Sequence, residues 1–253
     1  MDSAQNNLFC LSGKSILVTG ASSGIGKAIA VLCSKMGAVV YVTARNEERL
    51  KETMSLLEGA GHKMFLADLT KAEDREKLVN ELPLLDGIVQ NAGVGSRVLC
   101  KNINESDLDF VFNPNLKAPI LLQTLLLQQK KVSKGASIVF TASRAANSPS
   151  VGNAVYSASK GALISYAKCL GLELAPRKIR VNCICPGMVQ TGIIEKSGLD
   201  DDVMLELQKK YPLQRCGTSE DIANLAVYLL SDASSWMTGS CIDITGGGEG
   251  ILI

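Results

Sequence analysis

Seven short apolar runs divide this sequence, and they limit its fold more than any other feature. Each run is four to six residues long, and most are rich in Val or Ile, so they predict strands buried on both faces of a sheet. Segments with helical periodicity, such as Gly24–Met36 and Asn46–Glu58, separate the runs. This alternation predicts an α/β fold with a doubly wound parallel sheet. The predicted strands are Ser15–Thr19, Val39–Thr43, Met64–Ala67, Gly87–Gln90, Ser137–Thr141, Ile179–Ile184 and Cys241–Thr245.

The length of the chain, 253 residues, suits one large α/β domain or two small ones. No internal repeat, low-complexity tract or linker interrupts the alternation, so we expect a single domain over residues 1–253. Residues 187–216 are rich in Gly, Lys and Asp, and we expect them to form a flap over a substrate.

The composition argues against several classes of function. A net charge of +1, scattered Lys and Arg, and 4% aromatic residues argue against a nucleic-acid surface. No apolar run reaches the roughly 18 residues that would span a membrane. Residues 1–13 do not resemble a signal peptide, so we expect a reducing, cytoplasmic location.

The cysteines and the single histidine do not form a metal site. There are eight Cys, and Cys183 and Cys185 lie one residue apart in a predicted strand. No second Cys or His pair completes a zinc set, because His62 is the only histidine. We therefore expect no bound metal and interpret the cysteines mostly as small buried hydrophobic residues.

A glycine-rich turn follows the first predicted strand and leads directly into a helix. Its sequence is Thr19-Gly20-Ala21-Ser22-Ser23-Gly24-Ile25-Gly26. Glycines at such a turn let the backbone approach a phosphate, and the start of the helix adds free N–H groups and partial positive charge. The spacing differs from the usual G-x-G-x-x-G, but the position favours a dinucleotide-binding loop.

Three other interpretations of this turn are weaker. Three glycines can simply form a tight turn without a ligand. A phosphate-binding P-loop would need Ser or Thr where Ala28 stands and Gly where Ala21 stands. The residues Gly20–Gly24 also fit the G-x-S-x-G nucleophile elbow of hydrolases, but His62 comes too early in the chain for the histidine of that fold.

The end of the second predicted strand indicates the type of cofactor. A carboxylate there would bind the ribose 2′-hydroxyl of NAD(H), whereas Arg accommodates the 2′-phosphate of NADP(H). Here the strand continues into Ala44-Arg45-Asn46, with no acidic residue before Glu47. Arg45 favours NADP(H), with Ser22 and Asn46 adding hydrogen bonds. NAD(H) remains the alternative, since an arginine at this position is also compatible with a solvated helix start.

A tyrosine and a lysine four residues apart open an amphipathic helix. Tyr156 and Lys160 share one helix face and can point into the same cleft. A free tyrosine has a pKa near ~10, and a nearby ammonium lowers it, so Tyr156 can exchange a proton with a carbonyl or alcohol. Ser143 follows the strand Ser137–Thr141, where open α/β sheets place ligands, and its hydroxyl can hold the substrate oxygen.

These motifs together resemble the short-chain dehydrogenase/reductase family, in its compact single-domain branch. The resemblance extends from about Leu11 to Gly248, in family order and spacing. It implies a Rossmann-type sheet with helices on both faces, and hydride transfer between NADP(H) and a carbonyl or alcohol. The matching residues are Thr19-Gly20-x-x-x-Gly24-x-Gly26, Asp68-Leu69-Thr70, Asn91-Ala92-Gly93, Asn115, Ser143, Tyr156-x-x-x-Lys160 and Pro186-Gly187-x-x-x-Thr191.

The resemblance also implies a role for each matching residue. Tyr156 would be the general acid/base, Lys160 would lower its pKa and bind the nicotinamide ribose, and Ser143 would position the substrate oxygen. Asn115 would support a water that relays protons past Lys160. Asp68 would bind the adenine amino group. The implied cofactor-binding set is Gly20, Ser22, Ser23, Gly24, Ile25, Gly26, Arg45, Asn46, Asp68, Leu69, Asn91, Ala92, Gly93, Tyr156, Lys160, Pro186, Gly187, Val189 and Thr191.

Three residues depart from the family pattern. Gln90 stands where a second Asn is usual, and Thr245 replaces the usual Asp near the C-terminus. Pro114 directly precedes Asn115, where the family bends its helix, so the proline is expected to reinforce that bend. It also makes Asn113 a rival to Asn115 for the same role.

The substrate and the assembly follow only from the resemblance. The chain is most similar to 3-oxoacyl-[acyl-carrier-protein] reductases and general alcohol dehydrogenases of the family, which implies a carbonyl or alcohol substrate and a homotetramer or homodimer. Surface charges at Lys130, Lys131, Lys134 and Arg177 can meet an acidic carrier protein. The alternatives are an NAD(H)-preferring sugar or alcohol dehydrogenase, and a catalytically silent NADP(H)-binding sensor or scaffold.

Overall fold

The computed structural model describes residues 7–190, 206 and 208–248. In chain order the strands β1 to β7 are Ser15–Thr19, Val39–Ala44, Lys63–Leu66, Leu85–Gln90, Val132–Thr141, Arg180–Pro186 and Cys241–Ile244. The α-helices of these residues, α1 to α7, are Gly24–Lys35, Glu47–Met54, Ala72–Glu81, Glu105–Phe112, Ala118–Gln128, Ala154–Leu174 and Ser219–Leu230.

The seven strands form one parallel sheet in the order β3-β2-β1-β4-β5-β6-β7. The chain therefore builds outward from β1 in one direction through β3, and from β4 in the other direction through β7. This confirms the predicted doubly wound α/β fold of Rossmann type. The crevice that such a sheet opens for ligands lies between β1 and β4, at the carboxyl ends of the strands.

Each face of the sheet carries its own apolar core. In β1, Leu17 points to one face, while Ile16 and Val18 point to the other. Residues of α3, α5 and α6 cover the face of Leu17, and residues of α1, α2 and α7 cover the opposite face. Burial on both sides explains why the strands read as nearly continuous apolar runs.

Two element boundaries differ from the predicted ones by several residues. Helix α2 ends at Met54 rather than Glu58, and Gly59 and Gly61 in the following turn adopt positive φ, which a helix does not allow. Strand β5 begins at Val132, five residues before the predicted start, because Val132 pairs with Leu85 ahead of an irregularity in the ladder. Apolar periodicity alone does not reveal this pairing.

A π-helical turn, Asn113–Lys117, joins α4 to α5. The N–H of Ala118 bonds to the carbonyl of Asn113, five residues earlier, instead of four. Pro114 lacks an N–H and so cannot take part in a regular α-helical ladder. The π-helical turn lies where the bend at Pro114 is expected, and Asn115 within it is buried.

Among the described residues, no helix is both long enough and apolar enough to cross a membrane.

Candidate active site

The glycine-rich turn after β1 is shaped as a cradle. Gly20 and Gly24 adopt positive φ of 66° and 52°. A Cβ on Gly20 would lie 2.8 Å from the Cα of Ala92, and a Cβ on Gly26 would collide with the carbonyl oxygen of Gly20. The turn therefore tolerates only glycine at these points, and this brings α1 close to the end of β4.

The start of α1 is open toward this cradle. Ser23 occupies the N-cap position in extended conformation, but its side chain makes no capping hydrogen bond. The first N–H groups of a helix have no partner within the helix, so they are available to an anion. Ser22 is half-buried and Ser23 is exposed beside them. The cradle thus suits the pyrophosphate of a dinucleotide in both space and charge.

A hydrogen-bonded bridge between Thr19 and Asn91 joins β1 to β4 beneath the cradle. The Thr19 hydroxyl accepts hydrogen bonds from the N–H of Asn91 at 2.9 Å and of Ala92 at 3.0 Å. The Asn91 amide donates to the Thr19 carbonyl at 3.2 Å. Asn91 is thus a support for the glycine turn. The Thr19 hydroxyl is a positioning group that sequence reasoning missed, although Thr19 belongs to the motif.

The predicted adenosine residues gather at the carboxyl ends of β2 and β3. Arg45 is exposed directly after β2, and Asp68 lies close enough to feel its charge. Partial burial raises the pKa of Asp68, but hydrogen bonds from Thr70 and the charges of Arg45 and Lys71 outweigh burial and hold it below its usual value. Leu69 is buried beside it.

Asn46 also has a structural role, because its side-chain oxygen caps α2. This oxygen accepts a hydrogen bond from the N–H of Arg49 at 2.9 Å. Only the amide nitrogen of Asn46 then remains to donate to a cofactor. Arg45 itself makes no hydrogen bond or ion pair within the described part of the chain, so its guanidinium faces solvent.

The π-helical turn aims Asn115 at the loop after β4. Asn115 is 1% exposed. Its oxygen accepts from the N–H of Val94 at 2.7 Å, and its nitrogen donates to the carbonyl of Val94 at 2.9 Å and to the Ser159 hydroxyl at 3.2 Å. The rival residue Asn113 is half-buried and makes no side-chain hydrogen bond among the described residues. The structure therefore favours Asn115.

The same side chain lies close to Lys160 across Gly93. A Cβ on Gly93 would be 2.9 Å from the Asn115 oxygen and 3.5 Å from the Lys160 nitrogen. Lys160 is buried and donates to the carbonyl of Thr141, at the end of β5, at 2.7 Å. Gly93, Asn115 and Lys160 thus form one compact polar cluster at the edge of the crevice.

Ser143 and Tyr156 lie together above this cluster. The hydroxyl of Ser143, just past β5, accepts the N–H of Ala145 at 3.1 Å and also interacts with the Tyr156 phenol. The Lys160 nitrogen is 5.9 Å from the centre of the Tyr156 ring, so the ammonium lies over the ring face. Four residues from β5, α6 and the π-helical turn therefore converge as the sequence predicts.

The pKa shifts at this cluster correct one expectation. Burial raises the pKa of Tyr156, and the hydrogen bond with Ser143 offsets only part of this. The expected net lowering of the Tyr156 pKa is wrong in this structure, because burial is the largest effect on this phenol. Burial lowers the pKa of Lys160 to about 8, against the opposing effect of the Cys183 and Cys185 side chains. Tyr156 is accordingly a neutral phenol that can donate a proton.

The end of β6 supplies the far wall of the crevice. Pro186 and Val189 are buried, and the N–H of Gly187 donates to the carbonyl of Ile244 at 3.0 Å. Val189 also bridges to Gly217. Thr191, together with most of the predicted flap 187–216, lies outside the described residues. Thr245 packs against Gly187, so the departure from the family's usual Asp sits at this wall.

Two residues singled out in the sequence, His62 and Gln90, have a structural role or none. His62 accepts the N–H of Val40 at 3.0 Å and bonds the carbonyl of Glu58 at 2.9 Å, which excludes it as a hydrolase base in this arrangement. Gln90 is buried, and neither polar atom of its side chain has a hydrogen-bond partner among the residues that the structure describes. We find no further function for Gln90.

The basic residues expected to meet a carrier protein lie far from the site of their own chain. Lys130, Lys131 and Lys134 flank the start of β5, while Ser143 follows its end. Val132 and Phe140 pair with Leu85 and Gln90 of β4, which are five residues apart, so the two ends of β5 are about 17 Å apart. Lys131 also donates a hydrogen bond to the backbone carbonyl of Leu82, and Arg177 donates one to the carbonyl of Val132.

Comparisons with known proteins agree with this geometry. Residues 20–249 match the sequence profile of a family described as Enoyl-(Acyl carrier protein) reductase. The chain is 35% identical over 237 residues to the 3-oxoacyl-[acyl-carrier-protein] reductase FabG of Rickettsia felis, covering 94% of this chain and 97% of the relative. It is 34% identical over 247 residues to the human Dehydrogenase/reductase SDR family member 4, covering 94% and 88%.

A solved structure from Sinorhizobium meliloti, described as a short-chain alcohol dehydrogenase, superposes with a TM-score of 0.86. The identity is 34%, and the match covers 95% of this chain and 98% of that chain. Sequence and fold therefore agree over nearly the whole chain.

Proposed function

Because the chain belongs to the short-chain dehydrogenase/reductase family of oxidoreductases, we propose that it reduces a carbonyl group with NADPH, using Tyr156 as the proton donor. The observation that carries the proposal is the convergence of Ser143, Tyr156 and Lys160 beside the glycine cradle. Two hydroxyls at one point suit a substrate oxygen, and an open helix N-terminus nearby suits a dinucleotide.

The chemistry divides between the cofactor and the chain. When bound, the nicotinamide supplies the hydride. The hydroxyls of Ser143 and Tyr156 hold the carbonyl oxygen, and Tyr156 transfers its phenolic proton to that oxygen as negative charge develops there. Burial keeps Tyr156 protonated at neutral pH, which suits the direction of reduction. Lys160 is held rigidly by the carbonyl of Thr141, from where its ammonium can bind the nicotinamide ribose.

Turnover of a substrate panel tests the reaction. We expect NADPH oxidation with one or more of a 3-oxoacyl thioester, a diketone, a sugar and a steroid ketone, and none with an enoyl thioester that lacks a ketone. Tyr156→Phe should lower kcat by about 10²–10⁴-fold, because the proton donor is lost. The control is Tyr166→Phe, which changes a tyrosine of the same helix that packs against Phe140.

Several outcomes would count against this assignment. Equal turnover in Tyr156→Phe would refute the mechanism. Reduction of the enoyl thioester alone would reassign the reaction to a carbon–carbon double bond. Tight NADPH binding with no turnover of any compound would favour a silent binding protein.

The preference for NADPH over NADH rests on Arg45. Its exposed guanidinium has no partner in the described part of the chain, so a 2′-phosphate can pair with it without loss of another contact. Arg45→Ala should raise the KM for NADPH by about tenfold or more, as loss of one charge-assisted contact does, and leave the KM for NADH nearly unchanged. Arg49→Ala, another exposed arginine near the start of α2, is the control. Tighter binding of NADH than of NADPH to the unaltered protein would overturn the argument.

The substrate class that we propose is a 3-oxoacyl thioester, as the name of the Rickettsia relative suggests. We also propose a single domain with a flap at residues 187–216, and a homotetramer or homodimer. Sedimentation of the purified protein would determine the oligomeric state, and turnover of acyl-carrier-protein and coenzyme A thioesters would separate the carrier from the acyl group.

A further inference from the structure

Three thiols share the face of the sheet that lies under α6. Cys183 and Cys185 belong to β6, and Cys241 is the first residue of β7. Cys183 and Cys185 are buried in the core of this face, and the half-buried Cys241 packs against that core. The expectation that the cysteines are mostly buried is met by four of them, Cys33, Cys183, Cys185 and Cys216, whereas Cys100 and Cys169 are exposed.

The register of the two strands places Cys183 directly opposite Cys241. Neighbouring strands lie about 4.7–4.9 Å apart, and the Cα atoms of a disulfide are usually about 4.4–6.8 Å apart. Both side chains are on one face, and the expected Cα separation lies within the range of disulfides, so the two sulfur atoms are placed as neighbours. Each of the two thiols shifts the pKa of the other, which agrees with their close approach.

The two thiols of this pair differ in reactivity. The Cys183 thiol lowers the pKa of Cys241, burial opposes this, and the charge of Lys168 lowers it further. The Cys241 thiol and burial both raise the pKa of Cys183. Cys241 is also the more accessible of the two. Cys241 is therefore the thiol that becomes a thiolate and reaches a reagent from solvent.

We propose that Cys241 is an oxidation site for hydroperoxides and that Cys183 is its resolving partner. The Cys241 thiolate attacks one peroxide oxygen, the O–O bond breaks, and water or an alcohol leaves after taking up a proton. This gives a sulfenic acid on Cys241. The Cys183 sulfur then attacks the Cys241 sulfur, the S–O bond breaks, and the hydroxyl departs as water with the proton of Cys183. Two electrons pass from the thiol pair to the peroxide.

The disulfide should reach the candidate active site through Lys160. Cys183 and Cys185 lie near enough to affect the charge of the Lys160 ammonium. A disulfide between Cys183 and Cys241 replaces a thiol whose charge state affects that ammonium. We expect a loss of most of the reductase activity that dithiothreitol reverses. This effect on activity rests on the proposed function, whereas the thiol chemistry does not.

Mass mapping tests the thiol chemistry without any assay of activity. The full chain is treated with hydrogen peroxide, alkylated and digested, and the expected product is a linked pair of peptides containing Cys183 and Cys241, lighter by two hydrogen atoms. Cys183→Ser should leave a Cys241 sulfenic acid that dimedone traps. If peroxide consumes Cys100 or Cys169 while Cys183 and Cys241 remain alkylatable, the site is refuted.

A matched pair of variants tests the effect on activity. Cys241→Ser should keep its activity under peroxide, whereas Cys169→Ser, which removes an exposed cysteine of α6, should lose activity at the rate of the unaltered protein. Equal inactivation of Cys241→Ser would overturn the link to activity. A disulfide that forms without any change in turnover would support the oxidation site and refute its influence on Lys160.

Discussion

Truncation of Asn115 to alanine should destabilise the protein and slow its reaction together. The variant loses three hydrogen bonds, two with the backbone of Val94 and one with the Ser159 hydroxyl. At about 1 kcal/mol for each bond, the free energy of unfolding should fall by about 3 kcal/mol. For a chain of this size, that corresponds to a melting temperature lower by about 6–12 °C.

Asn113→Ala is the matched control, since it removes the same side chain two residues earlier in the same π-helical turn. Asn113 makes no side-chain hydrogen bond among the described residues, so we expect a loss below about 1 kcal/mol.

Thermal unfolding measures the stability of both variants, and NADPH oxidation below the melting range measures kcat. In Asn115→Ala the kcat should fall even when the protein is fully folded, because Asn115 borders the same Gly93 as Lys160. Similar losses of stability in the two variants would refute the assignment of Asn115. A normal kcat in folded Asn115→Ala would limit this residue to a structural role.

Two further predictions concern pH. Burial lowers the pKa of Lys160 to about 8, so its ammonium is lost as the pH rises through that value. The KM for NADPH, measured from about pH 6 to about pH 9.5, should therefore rise above about pH 8. A flat profile would contradict the proposed contact between Lys160 and the nicotinamide ribose. A hydrogen bond from Arg215, followed by one from Thr218, lowers the pKa of Asp221 at the cap of α7 to about 2. The stability that Asp221 contributes is therefore present above its unfolded pKa of about 4 and lost as the pH falls toward 2. Urea unfolding should show that Asp221→Asn is less stable than the unaltered protein at neutral pH but nearly as stable at about pH 2. The control is Asp232→Asn, which removes a surface ion pair with Lys14 and should change the stability little at either pH.

Much of the fold and of the site follows from local sequence. Strands buried on both faces leave a continuous apolar signal in the sequence. The residues that follow them, such as Ser143 and Arg45, lie at the same edge of a parallel sheet. The bend at Pro114 is also local, because it depends on one missing N–H.

Features that depend on contacts between distant segments could not be predicted in this way. The bridge from Thr19 to Asn91 requires β1 to lie beside β4, and the Cys183–Cys241 pair requires a particular register of β6 against β7. The direction of the Tyr156 pKa shift depends on how deeply the phenol is buried by distant segments. None of these quantities is encoded in spacing alone.

The strand order also has a consequence for the synthesis of the chain. When β1, β2 and β3 have left the ribosome, β2 and β3 can pair beside β1, but the other edge of β1 has no partner until Leu85–Gln90 emerges. The strand itself carries Ile16, Leu17 and Val18, all fully buried in the finished protein. An open apolar edge of this kind invites pairing with other chains. The nascent protein should therefore depend most on chaperones, and aggregate most readily, in the interval between the third and fourth strands.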